Sequence, residues 1–212
     1  MRRYQAYLFD YDDTLVLTRE VKFRAIRATA QQFYQTTLSD EEIAAHWGKP
    51  FHALFSELFA NFNPDVDQVI EQFLSITHEY PVVAFPTAVE TLNELSKRAF
   101  VGIVTSASRR VVLPDLDRLG FRAENYRLIQ CSEDTHAHKP DPAVFSPALL
   151  ALRNSHIEPS EVVYIGDAVS DRLASQGVGF NFIGFVNKLA KMNPFLDTNV
   201  PYIHEMKELL VT

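Results

Sequence analysis

The chain has 212 residues, 47% of them hydrophobic, which suits one full domain or one domain carrying a smaller insert around a sizeable core. Its formal net charge is −7 and its basic residues do not run together, so nothing electrostatic points to a nucleic-acid partner. The single cysteine, Cys131, excludes disulfide scaffolds and multi-cysteine zinc sites within the chain and reads as a core thiol.

The first apolar run, YQAYLF near 4–9, follows a basic start and meets charges at once, which is too short a stretch for a signal peptide. No run approaches the roughly 20 residues of a membrane helix. The expectation is a soluble, cytoplasmic monomer with no membrane partner. From about 17 to 82 the pattern is helical and amphipathic: TREVKFRAIRATAQQFYQ, SDEEIAAHW, PFHALFSELFAN and DVDQVIEQFLSITHEY. Ser39 with Glu42 predicts an N-cap with a capping box, and Asn63-Pro64 and Tyr80-Pro81 read as boundaries. The aromatics of this stretch read as core rather than as a ligand box.

Short apolar runs rich in β-branched or aromatic residues then recur near 99–105, 126–130, 161–166 and 180–186. Helical patterns lie between them and before the first: AVETLNELSKR, VVLPDLDRLG, PAVFSPALLALRN and SDRLASQG. The region 187–212 ends in a predicted short helix, HEMKELLV. Strand–helix alternation predicts an α/β fold: a Rossmann-like parallel sheet formed by 1–16 and 83–212, interrupted by a helical domain at 17–82.

On this reading each polar cluster falls at the carboxyl end of a strand, the edge where open α/β sheets bind ligands. Asp10 and Asp12 follow the first strand, Thr105, Ser106 and Ser108 the second, Lys139 the third, and Asp167 and Asp171 the fourth. Several carboxylates at one edge call for a cation, and oxygen-only ligands favour a hard ion, Mg²⁺ where phosphate is the substrate. Asp10, Asp167 and the Asp12 carbonyl can supply ligand oxygens. Lys139 can hold a phosphate oxygen, as can the Thr105 or Ser106 hydroxyl with nearby backbone N–H groups. Asp10 can attack phosphorus, and Asp12 can pass a proton to the leaving oxygen and take one from water.

These residues together resemble the haloacid dehalogenase (HAD) superfamily. Its pattern of D-x-D-x-T, a Thr or Ser, a Lys and G-D-x-x-x-D is matched in order by Asp10-Tyr-Asp12-Asp-Thr14, Thr105-Ser106, Lys139 and Gly166-Asp167-x-x-x-Asp171. The helical insert resembles the cap of the phosphoglycolate phosphatase and β-phosphoglucomutase branch. The resemblance implies catalytic roles for Asp10, Asp12, Lys139 and Thr105. It implies Mg²⁺ held by Asp10, Asp12 and Asp167, with Asp171 as a more distant or water-mediated partner. It implies substrate contacts from Thr105, Ser106 and Ala107, and from Arg109, which can reach phosphate or sugar. In the cap, the HWGKP loop offers Trp47, Gly48 and Lys49. Asp13 stands where many members have Gly.

The implied activity is a Mg²⁺-dependent phosphatase acting on a small phosphorylated metabolite through an aspartyl-phosphate. The alternative is a phosphomutase resembling β-phosphoglucomutase. Haloacid dehalogenation is disfavoured by Asp12, and phosphonate hydrolysis would need a cap lysine. A receiver-type signalling module is disfavoured by length.

Overall fold

The computed structural model describes residues 3–47, 51–188, 193–196 and 198–210. The chain divides into two compact units, one of residues 1–17 and 83–212 and the other of residues 18–82.

The first unit is an α/β layer structure. Six strands, β1 (Ala6–Phe9), β2 (Phe100–Val104), β3 (Leu128–Gln130), β4 (Val162–Gly166), β5 (Asn181–Phe185) and β6 (Tyr202–Ile203), form one sheet in the order β3-β2-β1-β4-β5-β6. Every pair is parallel. β1, β2 and β4 are buried at every position, which explains why their sequences read as unbroken apolar runs. Leu8 is level with Gly102 on one side and Tyr164 on the other. The order reverses at β1, which places the crevice of a doubly wound sheet at the ends of β1 and β4.

Helices α5 (Ala88–Leu95), α6 (Arg109–Leu119), α7 (Ser146–Asn154) and α8 (Val169–Gly177) belong to this unit. One face of the sheet is sealed by aromatics: the Phe145 ring meets Tyr164 edge-on at 4.9 Å and Phe180 at 5.2 Å. The segments leading out of and back into this unit pair with each other. The Leu17 N–H donates to the Val83 carbonyl and the Phe85 N–H to the Leu15 carbonyl, each at 2.9 Å.

The second unit is helical: α1 (Arg19–Tyr34), α2 (Asp40–His46), α3 (Phe51–Leu58) and α4 (Val66–Ile76). The Ser39 Oγ accepts the Glu42 N–H at 3.2 Å, and the Glu42 carboxylate accepts the Ser39 N–H at 2.7 Å. This is the expected capping box, worth about 1 kcal/mol. Phe55 meets Phe73 at 4.8 Å and stacks with Phe59 at 5.9 Å, so these aromatics are core.

The C-terminal region departs from expectation. Tyr202–Ile203 adds a sixth strand, held by Gly184 N–H to the Pro201 carbonyl and Val186 N–H to the Ile203 carbonyl at 2.9 Å each. Two residues leave no room for a strand pattern to show. The expected helix is instead a 3₁₀ segment, Met206–Leu210, whose start is fixed by the Glu208 carboxylate accepting the His204 and Glu205 N–H groups at 2.8 Å.

Candidate active site

β1 ends at Phe9, yet the Asp10 N–H still donates to the Ile165 carbonyl of β4 at 2.8 Å. The first acidic residue is therefore fixed by the sheet rather than by a loop. A tight turn follows, with the Leu15 and Val16 N–H groups both donating to the Tyr11 carbonyl at 2.9 and 3.1 Å. Within it Asp13 adopts φ 54°, the left-handed region that favours glycine and tolerates Asp and Asn better than other residues. Asp13 thus fills a glycine-type position with the kind of side chain that can occupy it.

The fourth strand delivers two more acids. Asp167 follows β4, and its Oδ1 accepts the Thr14 hydroxyl at 3.4 Å, which ties the first turn to the fourth. Asp171 lies in the first turn of α8 and is 2% exposed; its Oδ2 accepts the Ala168 N–H at 3.0 Å. Gly166 makes this placement possible: a Cβ there would lie 2.5 Å from Asp171 Oδ2 and 2.6 Å from its carboxyl carbon. The carboxylate oxygens of Asp10, Asp167 and Asp171 lie within 4.8 Å of one another. The sequence reading kept Asp171 at a remove; the structure places its carboxyl group in the same cluster.

Lys139 lies after β3, with a cis peptide to Pro140. Its ammonium is 2.6 Å from Asp10 Oδ1, 2.7 Å from Asp171 Oδ1 and 2.6 Å from the Tyr164 hydroxyl. Burial lifts the Asp10 carboxyl well above the usual carboxylate range. Lys139 pulls it back, while Asp171, Asp167 and Asp12 push it further up. Burial opposes the charge on Lys139, but Asp10, then Tyr164 and Asp171, hold its ammonium firmly protonated.

Three clustered carboxylates face one ammonium. Fully ionised, they leave a local charge of −2, Asp12 aside, in a place where water is scarce. An oxygen-only donor set with this excess fits a hard divalent cation, which would also return Asp10 to its ionised form.

Just after β2, the Thr105 N–H donates to the Gln130 carbonyl at 3.0 Å; the residue is 3% exposed, and its hydroxyl accepts the Ala107 N–H at 3.0 Å. Ser106 is exposed. The Arg109 guanidinium bonds to Asp134 and, at 3.3 Å, to the Ile129 carbonyl, so its cation is already engaged. In the helical unit Trp47 packs edge-on against Phe23 at 5.1 Å. Gly48 and Lys49 lie outside the described residues. The residue that the sequence reading missed is Tyr164, whose only signal is a phenol in the middle of a strand buried throughout.

The chain is similar to known proteins in sequence and in fold. Residues 7–185 match the family model described as "Haloacid dehalogenase-like hydrolase". The pyrophosphatase PpaX of Bacillus pumilus is 32% identical over 178 residues, covering 84% of this chain and 81% of the relative. A Thermotoga maritima structure, provisionally described as a beta-phosphoglucomutase, superposes with TM-score 0.82 at 22% identity, covering 97% of this chain and 96% of the other. CbbY of Rhodobacter sphaeroides in complex with phosphate superposes with TM-score 0.71 at 20% identity over 97% of this chain and 96% of the other. Among the described residues no helix is long and apolar enough to cross a membrane. A family match that spans most of the chain, with a relative 32% identical over 84% of it, shows that the chain belongs to the haloacid dehalogenase-like hydrolase family.

Proposed function

We propose that this protein is a Mg²⁺-dependent phosphohydrolase acting on a small phosphorylated compound through an aspartyl-phosphate on Asp10. The observation that carries the reading is the Asp10 carboxylate, 2.6 Å from a buried ammonium and clustered with Asp167 and Asp171 at the switch point of the sheet.

Asp10 attacks phosphorus and the bond to the leaving oxygen breaks, while Asp12 gives that oxygen a proton. Asp12 then takes a proton from water, the water oxygen bonds to phosphorus, and the acyl-phosphate bond breaks to release phosphate and restore Asp10. Lys139 offsets charge on Asp10 and on the phosphoryl oxygens. The Thr105 hydroxyl supplies a further phosphate donor, with the Ser106 and Ala107 backbone beside it. Asp10, Asp167, the Asp12 carbonyl and the Asp171 carboxylate are the residues that would hold Mg²⁺. When bound, that ion would neutralise charge on the phosphoryl oxygens. We assign the helical unit to substrate selection, with Trp47, Gly48 and Lys49 as its candidate contacts.

Pyrophosphate is the first substrate to test, because the matched Bacillus pumilus relative is named a pyrophosphatase. Phosphate release is measured from pyrophosphate, phosphoglycolate, sugar phosphates and glycerol phosphate, with Mg²⁺ and with EDTA. Release that needs Mg²⁺ and falls at least 1,000-fold in a folded Asp10→Asn variant is the expected result, in line with losses on removing a nucleophile. Undiminished release by that variant would overturn the assignment. A sugar phosphate isomerised only with a bisphosphate primer would move the reading to a phosphomutase.

A further inference from the structure

We propose that Tyr164 is a positioning residue for this reaction, its hydroxyl aiming the Lys139 ammonium at Asp10 and tying it to the end of β2 beside Thr105. The inference rests on the phosphohydrolase reading, and it concerns a residue outside the recognised acidic, hydroxyl and lysine positions.

Tyr164 is fully buried in the middle of β4, with its ring against Phe145. A phenol in such a place must pair its polar tip or leave a desolvated donor unsatisfied. It does so in two directions. Its hydroxyl donates to the Val104 carbonyl at 2.8 Å and accepts from Lys139 Nζ at 2.6 Å. The first bond crosses β1, since the sheet order is β2-β1-β4 and Tyr164 is level with Leu8. Val104 immediately precedes Thr105. One hydroxyl therefore links the strand carrying the phosphate-binding hydroxyl to the lysine that serves the nucleophile.

The donor count explains why this matters. An ammonium has three N–H donors in a fixed tetrahedral arrangement. Here they meet Asp10, Asp171 and Tyr164. The Asp10 carboxylate loses its charge during turnover, because it becomes an acyl phosphate. Tyr164 is the neutral acceptor that does not change. With it removed, the ammonium is free to turn about its two remaining bonds. Misplacement of a reacting pair by about 1 Å is worth roughly 100-fold in rate.

Tyr164→Phe tests this with the ring and its packing kept. The expected result is a kcat lowered tenfold to a hundredfold, a KM within threefold of the parent, and no further loss when the substitution is added to Lys139→Met. A kcat per folded molecule within twofold of the parent, or an equal loss in the Lys139→Met background, would overturn the proposal. If Tyr164→Phe does not fold, p-aminophenylalanine at position 164 separates the two bonds: its amine still donates to Val104 but accepts poorly from Lys139. Parental melting with lowered kcat supports the proposal, and recovery of both sinks it. The bond is also read without turnover. The Lys139 ammonium should give a resolved ¹H–¹⁵N NH₃⁺ signal in the parent that is lost in Tyr164→Phe; an unchanged signal would overturn the proposal whatever the activity. An inactive parent would count against the phosphohydrolase reading alone.

Discussion

Lys139→Met keeps the length of the side chain and removes its charge. Lys139 and its two carboxylate partners have side chains that are 7%, 10% and 3% exposed, so solvent screens them little. The substitution leaves Asp10 and Asp171 facing each other with the ammonium gone. Breaking a buried pair by deleting one partner costs about 3–5 kcal/mol. At about 2–4 °C per kcal/mol for a chain of this size, the melting midpoint in EDTA should fall by roughly 6–20 °C. The pH dependence has a definite sign. Asp10 has a folded pKa above its unfolded value, so its contribution is most favourable below about pH 4 and is lost as pH rises through the folded value. Deleting Lys139 pushes Asp10 higher still, so the deficit should be no smaller at pH 8 than at pH 5. Adding Asp171→Asn to Lys139→Met removes one of the two stranded charges and should recover part of the loss, because the amide oxygen can still accept the Ala168 N–H. Mg²⁺ should narrow the gap further. The assay is thermal unfolding of the parent, both single variants and the double variant, at both pH values, with EDTA and with Mg²⁺. A Lys139→Met midpoint within 2 °C of the parent in EDTA at pH 8 would refute the charge-balance argument (about 1 kcal/mol at most).

Gly166→Ala forces a methyl against the Asp171 carboxyl group; overpacking of this kind costs about 1–3 kcal/mol, and Mg²⁺ affinity by titration calorimetry should fall at least tenfold, whereas an unchanged affinity would remove Asp171 from the metal site. Cys131 is held as a thiol, pushed up to about 11 chiefly by burial. At pH 8 roughly one in a thousand is thiolate, so a thiol reagent should label it far more slowly in the native than in the unfolded protein, and its stabilising contribution should be present below about pH 9 and lost as pH rises toward 11. Asp12→Asn should slow hydrolysis of an alkyl phosphate about 100-fold or more, within the range for general acid catalysis, and should slow an aryl phosphate with an acidic leaving group much less; equal losses on both would argue against proton transfer by Asp12.

The strands at the centre of the sheet were legible because each is buried at every position and so carries a continuous apolar run. The helix that starts after Ser39 was legible for a local reason, since its cap is written in two side chains that bond within three residues. β6 was not, because two residues hold no period and its pairing is decided by what β5 leaves open. At the site, chain order alone showed which strand ends carry acids and where the lysine falls. It could not show that Asp171 shares a cluster with Asp10, since that depends on the missing Cβ of Gly166 and on one turn of α8. Nor could it show that the Arg109 guanidinium is held by Asp134, a partner 25 residues away.

Asp13 and Tyr164 show two ways in which a functional site departs from the rules that make the rest of a fold readable. Asp13 occupies a left-handed position where glycine is the unstrained choice, so the turn after β1 is held against a local preference. Tyr164 places a hydroxyl inside a strand whose neighbours are aliphatic or glycine, and satisfies it across the sheet at Val104 and through Lys139. Both conflicts lie within reach of Asp10, and both are tolerated because the central strands leave little freedom there. A buried acid whose carboxyl is pushed toward neutrality is a poor nucleophile and an unfavourable core residue. It becomes useful only when cations face it from fixed directions. The sheet supplies one of these as Lys139, braced by Tyr164, and leaves the carboxylates of Asp167 and Asp171 in position to recruit another.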